Sequence, residues 1–516
     1  MWSQKIAKDL IKKNRPKADQ PRAGKKIYNI TTGISPSGPF HIGHLREVLT
    51  SDIVAWSIKN LKRKVQIHFI LDDFDHLRKV YPFLEPRFEK YVGKPLYLIP
   101  SPGKNQSYSE YFSIPFLKVL KNLGLDFKIY KAHELYQKGL FNQYIEICLE
   151  KRKEIADILK KVAGTKVAKD FYPFRPLCPK CQSLTKTKIL GVDTNKKEMA
   201  ISCECGFRGK INYLNGGGKL IWRLHWPAWW QVFRTDAEAY GKEHGTVGGS
   251  YDTGKEIVEK IFKKKAPLGI PYDLIYLKGF KGKMSSSLGN LITADLLVKT
   301  LPNELVKYFI LRVLPQKPIF FDPKDAIRFS EEIAADLKRL NHKKLSPEKI
   351  LLLQYIFQTK DLKKAKIIPW EYFLLIIQLA KNDPKEVEKL LKKSDHFLST
   401  KTIKNLVPKA ENWLKEFASD DLILKVNSRP SKIKLEAKEK IFLTNLSNKL
   451  KKKTYSSEEL QNLIFDLIKQ SKLPSQQGFS LIYRLTINKN SGPKAGLLIN
   501  LIGQKQFINL IEPSIK

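Results

Sequence analysis

The chain has 516 residues, 42% of them hydrophobic, which is enough for about two to four domains with buried cores. Its 93 Lys and Arg residues against 51 Asp and Glu give a net charge of +42, which favours nucleic acid as a partner. Five cysteines are too few for a disulfide framework, no apolar run is long enough to span a membrane, and the first residues lack a secretory signal. We therefore expect a cytoplasmic protein with no membrane partner.

The first third of the chain alternates between strand and helix patterns. Residues 26–33, KIYNITTG, and 65–71, VQIHFIL, predict buried strands, and 41–61 predict a helix between them. Strand, helix and strand in this order predict a βαβ unit of a parallel sheet, with ligands bound at the carboxyl ends of its strands. The segments SPSG, 35–38, and DDFD, 72–75, both lie at such ends.

The segment HIGH follows the first of these turns. Pro36 and Gly38 predict a tight turn, after which a helix begins near His41. The first N–H groups of a helix lack partners inside it and lie at the positive end of its dipole, so we expect an anion site there. His41 and His44 lie on one helical face, in a position to contact a phosphate.

Four of the five cysteines are clustered. CPKC contains Cys178 and Cys181, and CEC contains Cys203 and Cys205. Two such pairs around a hairpin-sized segment predict one tetrahedral Zn²⁺ with no open position, and hence a structural site. Four unrelated thiols are the alternative.

A second α/β pattern follows the cysteines, in segments 221–233 and 239–254 and the strand 273–277, so a nucleotide-binding fold with an insertion is the simplest reading. The strand leads into KMSSS, a glycine-flanked loop in which Lys283 supplies an ammonium group and Ser285 and Ser286 supply hydroxyls. Such a loop is suited to neutralising charge on departing pyrophosphate. A flexible linker is the alternative.

HIGH and KMSSS together resemble the signatures of class I aminoacyl-tRNA synthetases. Six blocks, spread over nearly the whole chain, resemble more narrowly the class I lysyl-tRNA synthetases, a type found mainly in archaea. These blocks are TGISPSGPFHIGHLREV, DDFDHLRKV, IWRLHWPAWW, GKEHGTVGGSYDTG, KMSSSLGN and GPKAGLLINLIG.

The resemblance implies an α/β fold with a Rossmann-type catalytic domain, a zinc-bearing insertion, a stem-contact segment and a C-terminal all-α helix cage that binds the anticodon. The implied boundaries are 1–107 for the first half of the catalytic domain, 108–215 for the insertion, 216–292 for the second half with the KMSSS loop, 293–345 for the stem-contact segment and 346–516 for the anticodon-binding domain.

The implied activity is that of a lysine–tRNA ligase. L-lysine and ATP give lysyl-adenylate and diphosphate, and the lysyl group passes to the terminal adenosine of tRNA(Lys). The attacking carboxylate is already ionised, so catalysis reduces to alignment and to stabilisation of phosphate charge, with Mg²⁺ bound mostly through ATP. A monomer is favoured.

Lysine's ammonium group needs an acidic partner when it loses water, and DDFD supplies three aspartates, of which Asp73 is preferred. The implied catalytic residues are His41, His44, Lys283, Ser285 and Ser286. The implied ATP-binding residues are Ser37, Gly38, His41, His44, Gly241, Glu243 and Lys283. The implied lysine-binding residues are Gly33, Ser35, Asp73, Trp226, His244 and Tyr272.

The chain departs from the family pattern at three positions. His225 and Trp229 stand where the family usually has Asp and Arg, which removes a charge pair near the expected site, and His44 stands where the family often has Asn. Two alternatives therefore stay open: a class I synthetase or ligase of other specificity, such as glutamate, and a tRNA-binding or regulatory protein without catalysis. Glutamate would require a basic pocket residue, and a pure binder has no need of pyrophosphate contacts.

Overall fold

A computed structural model of the protein divides the chain into two compact units. The structure describes residues 1–13, 27–103, 106–278, 291–340, 345–392, 397–427, 429–430 and 433–515. The first unit comprises Met1–Val298, Asn303–Asp322 and Lys343–Ala365, and the second comprises Lys299–Pro302, Pro323–His342 and Lys366–Lys516. Within the described ranges, no helix has both the length and the apolar character needed to cross a membrane.

Helices occur along the whole described chain, whereas its strands lie between residues 28 and 321. From the N-terminus, the elements are α1 (Trp2–Lys13), β1 (Tyr28–Ile34), α2 (Ile42–Asn60), β2 (Val65–Leu71), α3 (Tyr108–Asn122), β3 (Lys128–Lys131), α4 (Ala132–Gln137), α5 (Asn142–Glu150) and α6 (Arg152–Ala163). Next come β4 (Phe174–Pro176), β5 (Thr187–Asp193), β6 (Glu198–Cys203), β7 (Arg208–Asn212), β8 (Gly218–Leu220), α7 (Trp222–Val232), β9 (Ala237–Gly241), α8 (Ser250–Lys260), β10 (Leu268–Tyr272) and β11 (Ile275–Leu277). The remainder are α9 (Ala294–Thr300), α10 (Asn303–Leu311), β12 (Ile319–Phe321), α11 (Asp325–Arg339), α12 (Pro347–Ile356), α13 (Trp370–Leu379), α14 (Pro384–Lys392), α15 (Thr400–Phe417), α16 (Ala437–Lys452), α17 (Ser457–Gln470), α18 (Ser475–Ile487), α19 (Ala495–Ile502) and α20 (Gln504–Ile515).

A parallel sheet with strand order β10-β9-β1-β2-β3 forms the centre of the first unit. Most residues of its three inner strands are buried, as expected for a parallel sheet whose two faces are covered by helices. The predicted α/β fold with a parallel sheet is confirmed. The connection from β1 runs to β2 on one side, whereas β9 pairs with β1 on the other, so the order reverses between β1 and β9. Ligands of open parallel sheets bind outside the carboxyl ends of the strands at such a reversal.

Between β3 and α7 the chain leaves the sheet. Helices α4 to α6 are followed by a three-stranded antiparallel sheet, β5-β6-β7, and by the antiparallel pair β4-β8. The last strand of this part, β8, carries Lys219 back toward the carboxyl end of β2, where Asp72 follows the strand. The segment therefore contributes a side chain to the site described below.

The described residues of the second unit form helices and no strand. Trp370 and Trp413 are fully buried, and the Trp413 indole N–H donates to the Pro323 carbonyl at 3.3 Å. Both rings are therefore part of the core of this unit.

Candidate active site

A cavity of about 480 Å³ lies at the carboxyl ends of β1, β2, β9 and β10. The strand ends meet there because the strands run in parallel. The cavity is lined by Gly33, Ile34, Ser35, His44, Glu47, Asp72, Asp75, Arg78, Trp222, Trp226, Trp229, Glu238, Ala239, Tyr240, Gly241, Glu243, His244, Ser250 and Tyr272.

Many of the residues predicted from sequence lie at this cavity. Those that line it are Gly33, Ser35, His44, Trp226, Gly241, Glu243, His244 and Tyr272. Ser37, Gly38, His41 and Asp73 are not part of the lining. Lys283, Ser285 and Ser286 lie outside the described residues.

Two glycines allow close packing beside the cavity. A Cβ on Gly33 would come within 2.7 Å of the Trp229 ring, so the bare backbone lets that indole lie against β1. A Cβ on Gly38 would come equally close, at 2.7 Å, to the ring of Phe83. Both positions therefore favour glycine for reasons of space.

The two histidines of HIGH cap the helix that follows them. His41 is the N-cap residue of α2, and its Nδ1 accepts the Gly43 N–H at 3.0 Å. His44 Nδ1 in turn accepts the His41 N–H at 3.0 Å. Because each Nδ1 is an acceptor, a neutral ring carries its proton on Nε2. Burial and the neighbouring His41 keep the pKa of His44 well below its ordinary value, so that ring is neutral.

This capping corrects the predicted anion site. The sequence suggested that the first N–H groups of α2 are unpaired, but the Gly43 N–H is bonded to His41 and the Ile42 N–H donates to the Ile292 carbonyl at 3.1 Å. The His44 N–H donates to the His41 carbonyl at 3.0 Å. An anion here would meet imidazole N–H groups rather than backbone amides.

Residues 292–294, which are among the first described residues after the KMSSS segment, lie against HIGH. Besides the bond from Ile42 to Ile292, the Ala294 N–H donates to the Phe40 carbonyl at 2.9 Å, and His41 and Thr293 form an antiparallel bridge. Residues 292–294 therefore contact the start of α2, about 250 residues earlier in the sequence.

Asp72 and Asp75 line the cavity, and each is paired with a cation. Lys219 Nζ donates to both carboxylate oxygens of Asp72, at 2.6 and 2.8 Å, and both side chains are buried. Burial raises the pKa of Asp72 to about 6, and Lys219 counteracts that rise. Arg78 lies 3.1 Å from Asp75. These two carboxylates are already neutralised by the protein.

Asp73, the aspartate preferred for lysine binding, points away from the cavity. Its carboxylate accepts the His133 N–H at 3.0 Å and pairs with the His133 ring at 2.5 Å. The preference for Asp73 over its neighbours is therefore corrected by its placement. The reason is that residues 72–75 form a turn, with the Asp75 N–H bonded to the Asp72 carbonyl at 3.3 Å, so strand alternation no longer applies.

Glu47, on α2, is a cavity residue that the sequence reasoning missed. Its carboxylate accepts hydrogen bonds from the Thr32 hydroxyl, the Gly33 N–H at 3.2 Å and the Tyr272 hydroxyl at 2.7 Å. All three donors are neutral, and no cationic side chain of the described residues pairs with it. Burial raises the pKa of Glu47 to about 7.

Glu238, on β9, was missed as well. Its carboxylate accepts the indole N–H groups of Trp226 at 3.0 Å, Trp229 at 3.1 Å and Trp230, together with the Thr31 hydroxyl at 2.6 Å. Burial raises the pKa of Glu238 to about 7. Indoles only donate, so this set of partners fits an ionised carboxylate rather than a protonated one.

A signal for both glutamates was present in the sequence. Glu238 is the only charged residue of the strand AEAYG, and Glu47 lies beside Arg46 within the run LREVL, where Leu and Val flank the pair. Buried charges occur where they have partners or a function, so an isolated one in a predicted core element deserves a functional hypothesis.

The two departures near the site are both buried. His225 Nδ1 is 2.9 Å from the Tyr136 hydroxyl, and its Nε2 is 3.6 Å from Asp72. Burial and the nearby Lys219 hold the pKa of His225 well below its ordinary value, so it adds no charge. Trp229 donates to Glu238, as described above, with a neutral N–H.

The four clustered cysteines meet in space. Their Sγ atoms all lie within 4.8 Å of one another, with Cys178 and Cys205 3.6 Å apart and Cys181 and Cys203 3.5 Å apart. Four thiolates at about 2.3 Å from a zinc ion would lie about 3.8 Å apart. The donor set therefore fits a tetrahedral metal.

Comparison with known proteins identifies the family. The family model described as "tRNA synthetases class I (K)" matches residues 1–355. The lysine–tRNA ligase of Archaeoglobus fulgidus is 33% identical, with 97% of each chain covered. The chain belongs to the class I lysyl-tRNA synthetases. The resemblance stated from the sequence is confirmed, and the synthetase matches its relatives over nearly their full length.

Other lysine–tRNA ligases are similar to this chain at comparable identity and coverage. The lysine–tRNA ligase of Thermoplasma acidophilum is 32% identical to this synthetase over 98% of its chain and 97% of the relative. That of Methanosarcina barkeri is 34% identical over 98% and 96%. Among solved structures, a glutamate tRNA ligase from Elizabethkingia meningosepticum aligns with a TM-score of 0.45 at 13% identity, covering 95% of this chain and 99% of that one.

Proposed function

We propose that this synthetase is a lysine–tRNA ligase, which forms lysyl-adenylate and diphosphate from L-lysine and ATP and then transfers the lysyl group to the terminal adenosine of tRNA(Lys). The observation that carries the substrate assignment is the pair of buried carboxylates, Glu47 and Glu238, at the cavity beside HIGH. Neither has a cationic partner among the described residues.

An ammonium group is the ligand that such carboxylates favour. Keeping a carboxylate charged away from water is costly unless it is paired, and lysine supplies two ammonium groups. Glu47, with the Tyr272 hydroxyl on one oxygen, is our candidate for the side-chain ammonium. Glutamate as substrate would add a carboxylate to a cavity that already holds unpaired negative charge. The cavity therefore disfavours the glutamate alternative.

The remaining lysine contacts are proposed because the residues concerned line the cavity. Gly33 and Ser35 lie at the end of β1, and the ring centroids of Trp226 and His244, which both line the cavity, are 5.5 Å apart. The ring of Trp226 offers a surface for lysine's methylene chain. Asp73 has no direct contact in this scheme.

The phosphates of ATP are proposed to lie beside α2. His41 and His44 would donate from Nε2, and Gly241 and Glu243 line the cavity at and just after the end of β9. Ser37 and Gly38 belong to the turn that leads into the helix. Mg²⁺ enters with ATP and supplies positive charge at the phosphates. Lys283, Ser285 and Ser286 are proposed to stabilise the departing diphosphate.

Catalysis needs no general base, because lysine's carboxylate is ionised before it attacks the α-phosphorus. The protein's contribution is to align that carboxylate with ATP and to balance charge as diphosphate leaves. Neutral imidazoles that donate from Nε2 suit this task, since they keep their protons throughout the reaction.

We further propose that Cys178, Cys181, Cys203 and Cys205 hold one structural Zn²⁺, which would stabilise the fold of the insertion. The predicted five-part division also stays a proposal. It is finer than the two observed units and places 346–365 in the C-terminal domain, whereas these residues belong to the first unit. The second unit is proposed to bind the anticodon arm, which the net charge of +42 favours.

A lysine-dependent ATP–pyrophosphate exchange assay, run with and without tRNA(Lys), tests the function. We expect exchange with lysine and none with glutamate. Exchange with glutamate alone would refute the specificity. Tight tRNA binding with neither exchange nor charging would favour the non-catalytic alternative.

A further inference from the structure

Asp73 lies between Asp72 and Asp75 in the sequence, but its side chain bonds to helix α4 instead of lining the cavity. It is fully buried, and its two carboxylate oxygens are both used by His133, one by the backbone N–H at 3.0 Å and one by ring Nδ1 at 2.5 Å. His133 lies in the first turn of α4, whose N-cap residue Lys131 makes no side-chain capping bond. The Asp73 carboxylate therefore supplies, from a neighbouring strand end, the cap that α4 lacks locally.

The backbone of the same turn is fixed on its other side. The Tyr97 N–H donates to the Asp73 carbonyl at 3.1 Å, and the Leu96 N–H donates to the Asp75 carbonyl at 2.8 Å. The Tyr97 ring also stacks on the His133 ring, with centroids 4.1 Å apart and planes 6° from parallel. The Asp73 side chain is thus bound to His133 of α4, and the backbone of the turn is bound to residues 96–97. These two segments contact each other through the rings of His133 and Tyr97.

We propose that Asp73 is a positioning residue which, through His133, aims Asp72 and Asp75 into the amino-acid cavity. The turn has only four residues, so a rotation at its second position moves the carboxylates on either side of it. Asp72 must meet Lys219, and Asp75 must meet Arg78, for their charges to be neutralised. If that geometry were lost, unpaired charge would appear in the cavity that Glu47 lines and would compete with Glu47 for the substrate's ammonium group.

The inference rests on the proposed function and is tested by steady-state exchange kinetics with lysine and with ATP. In Asp73→Ala we expect the KM for lysine to rise about tenfold, with kcat and the KM for ATP nearly unchanged. Asp73→Asn keeps an acceptor for the His133 N–H and should show a smaller rise. His133→Phe keeps the stacking on Tyr97 but removes the ring N–H, and should resemble Asp73→Asn.

The double variant Asp73→Ala with His133→Phe should have a KM for lysine no higher than that of Asp73→Ala alone. Both changes break the same interaction, between the Asp73 carboxylate and the His133 ring. Ser399→Ala removes a helix cap in the second unit, where Ser399 Oγ accepts the Thr402 N–H at 3.1 Å, and controls for a general loss of stability. Its KM for lysine should stay at the wild-type value.

Three results would overturn the inference: an unchanged KM for lysine in Asp73→Ala, an equal rise in the KM for ATP, or additive effects in the double variant. If Asp73→Ala does not fold, the KM for lysine is measured in Asp73→Asn instead, and an unchanged KM in that variant overturns the inference. A wild-type protein without lysine-dependent exchange would refute the proposed function and the inference together, whereas wild-type exchange with unaltered variants refutes the inference alone.

Discussion

Replacing Glu47 by Gln is expected to make the synthetase more stable and less active. Burial raises the pKa of Glu47 from its ordinary 4.5 to about 7. The gap between these values corresponds to about 3 kcal/mol. Because the folded-state pKa is the higher one, this carboxyl's contribution to stability is present below pH 4.5 and is lost as the pH rises through 7. The amide of Glu47→Gln does not titrate, so the variant avoids that loss.

The side chain of Gln fits the partners of Glu47. Its amide oxygen can accept from the Thr32 hydroxyl and the Gly33 N–H, while its NH₂ group can donate to the Tyr272 hydroxyl, which is able to accept. The shape of the cavity is therefore kept while its charge is reduced. Removing the buried charged partner of an ammonium group weakens its binding by about 2 kcal/mol or more. The KM for lysine should therefore rise about 30-fold or more.

Denaturant unfolding at pH 5 and pH 8, combined with exchange kinetics, measures both effects. Wild-type protein should lose stability between these pH values relative to Glu47→Gln, by an amount approaching about 3 kcal/mol. Glu154→Gln changes an exposed glutamate of α6 and should alter neither stability nor KM. A variant as unstable as the wild type at pH 8, or with an unchanged KM for lysine, would refute the role given to Glu47.

Three other changes have defined outcomes. Lys219→Met should lower the free energy of unfolding by about 3–5 kcal/mol, because it leaves Asp72 buried without its partner. The double variant with Asp72→Asn should recover most of that loss, and a loss below about 1 kcal/mol in the single variant would contradict the pairing. Glu238→Gln, unlike Glu47→Gln, should lower the melting temperature, since its NH₂ group would face an indole N–H; a raised melting temperature would contradict this. Metal analysis should find one zinc per chain, and Cys203→Ser should release it and lower the melting temperature, whereas metal-free wild-type protein of equal stability would count against the site.

The parallel sheet and the general place of the site were predictable because their signals are local. Apolar strand runs separated by a helical pattern specify a βαβ unit, and the strand ends then specify where ligands bind. Gly33, Ser35 and Tyr272, which the family resemblance implied as lysine-binding residues, line the cavity at those ends. The resemblance supplied the family and the candidate residues, but not the contacts that each side chain makes.

The orientation of individual side chains was not predictable, because it depends on partners far away in sequence. Asp72 meets Lys219, and Asp73 meets His133, through bonds that span 147 and 60 residues. The preference for Asp73 among the aspartates of DDFD could not take these distant partners into account. The capping of α2 by its own histidines was a further miss, since histidine is not among the usual capping residues.

The charge pattern of the cavity suggests how specificity and stability are balanced. Asp72 and Asp75 are paired with cations that the protein provides, so they add little net negative potential for a ligand. Glu47 and Glu238 are surrounded by neutral donors, which support a carboxylate without cancelling its charge. The free protein bears the cost of burying these two charges, and a bound ammonium group would relieve it. Lysine should therefore raise the melting temperature more strongly than an isosteric ligand that lacks the ammonium group, because it binds only the folded state and pairs a charge that is otherwise unpaired.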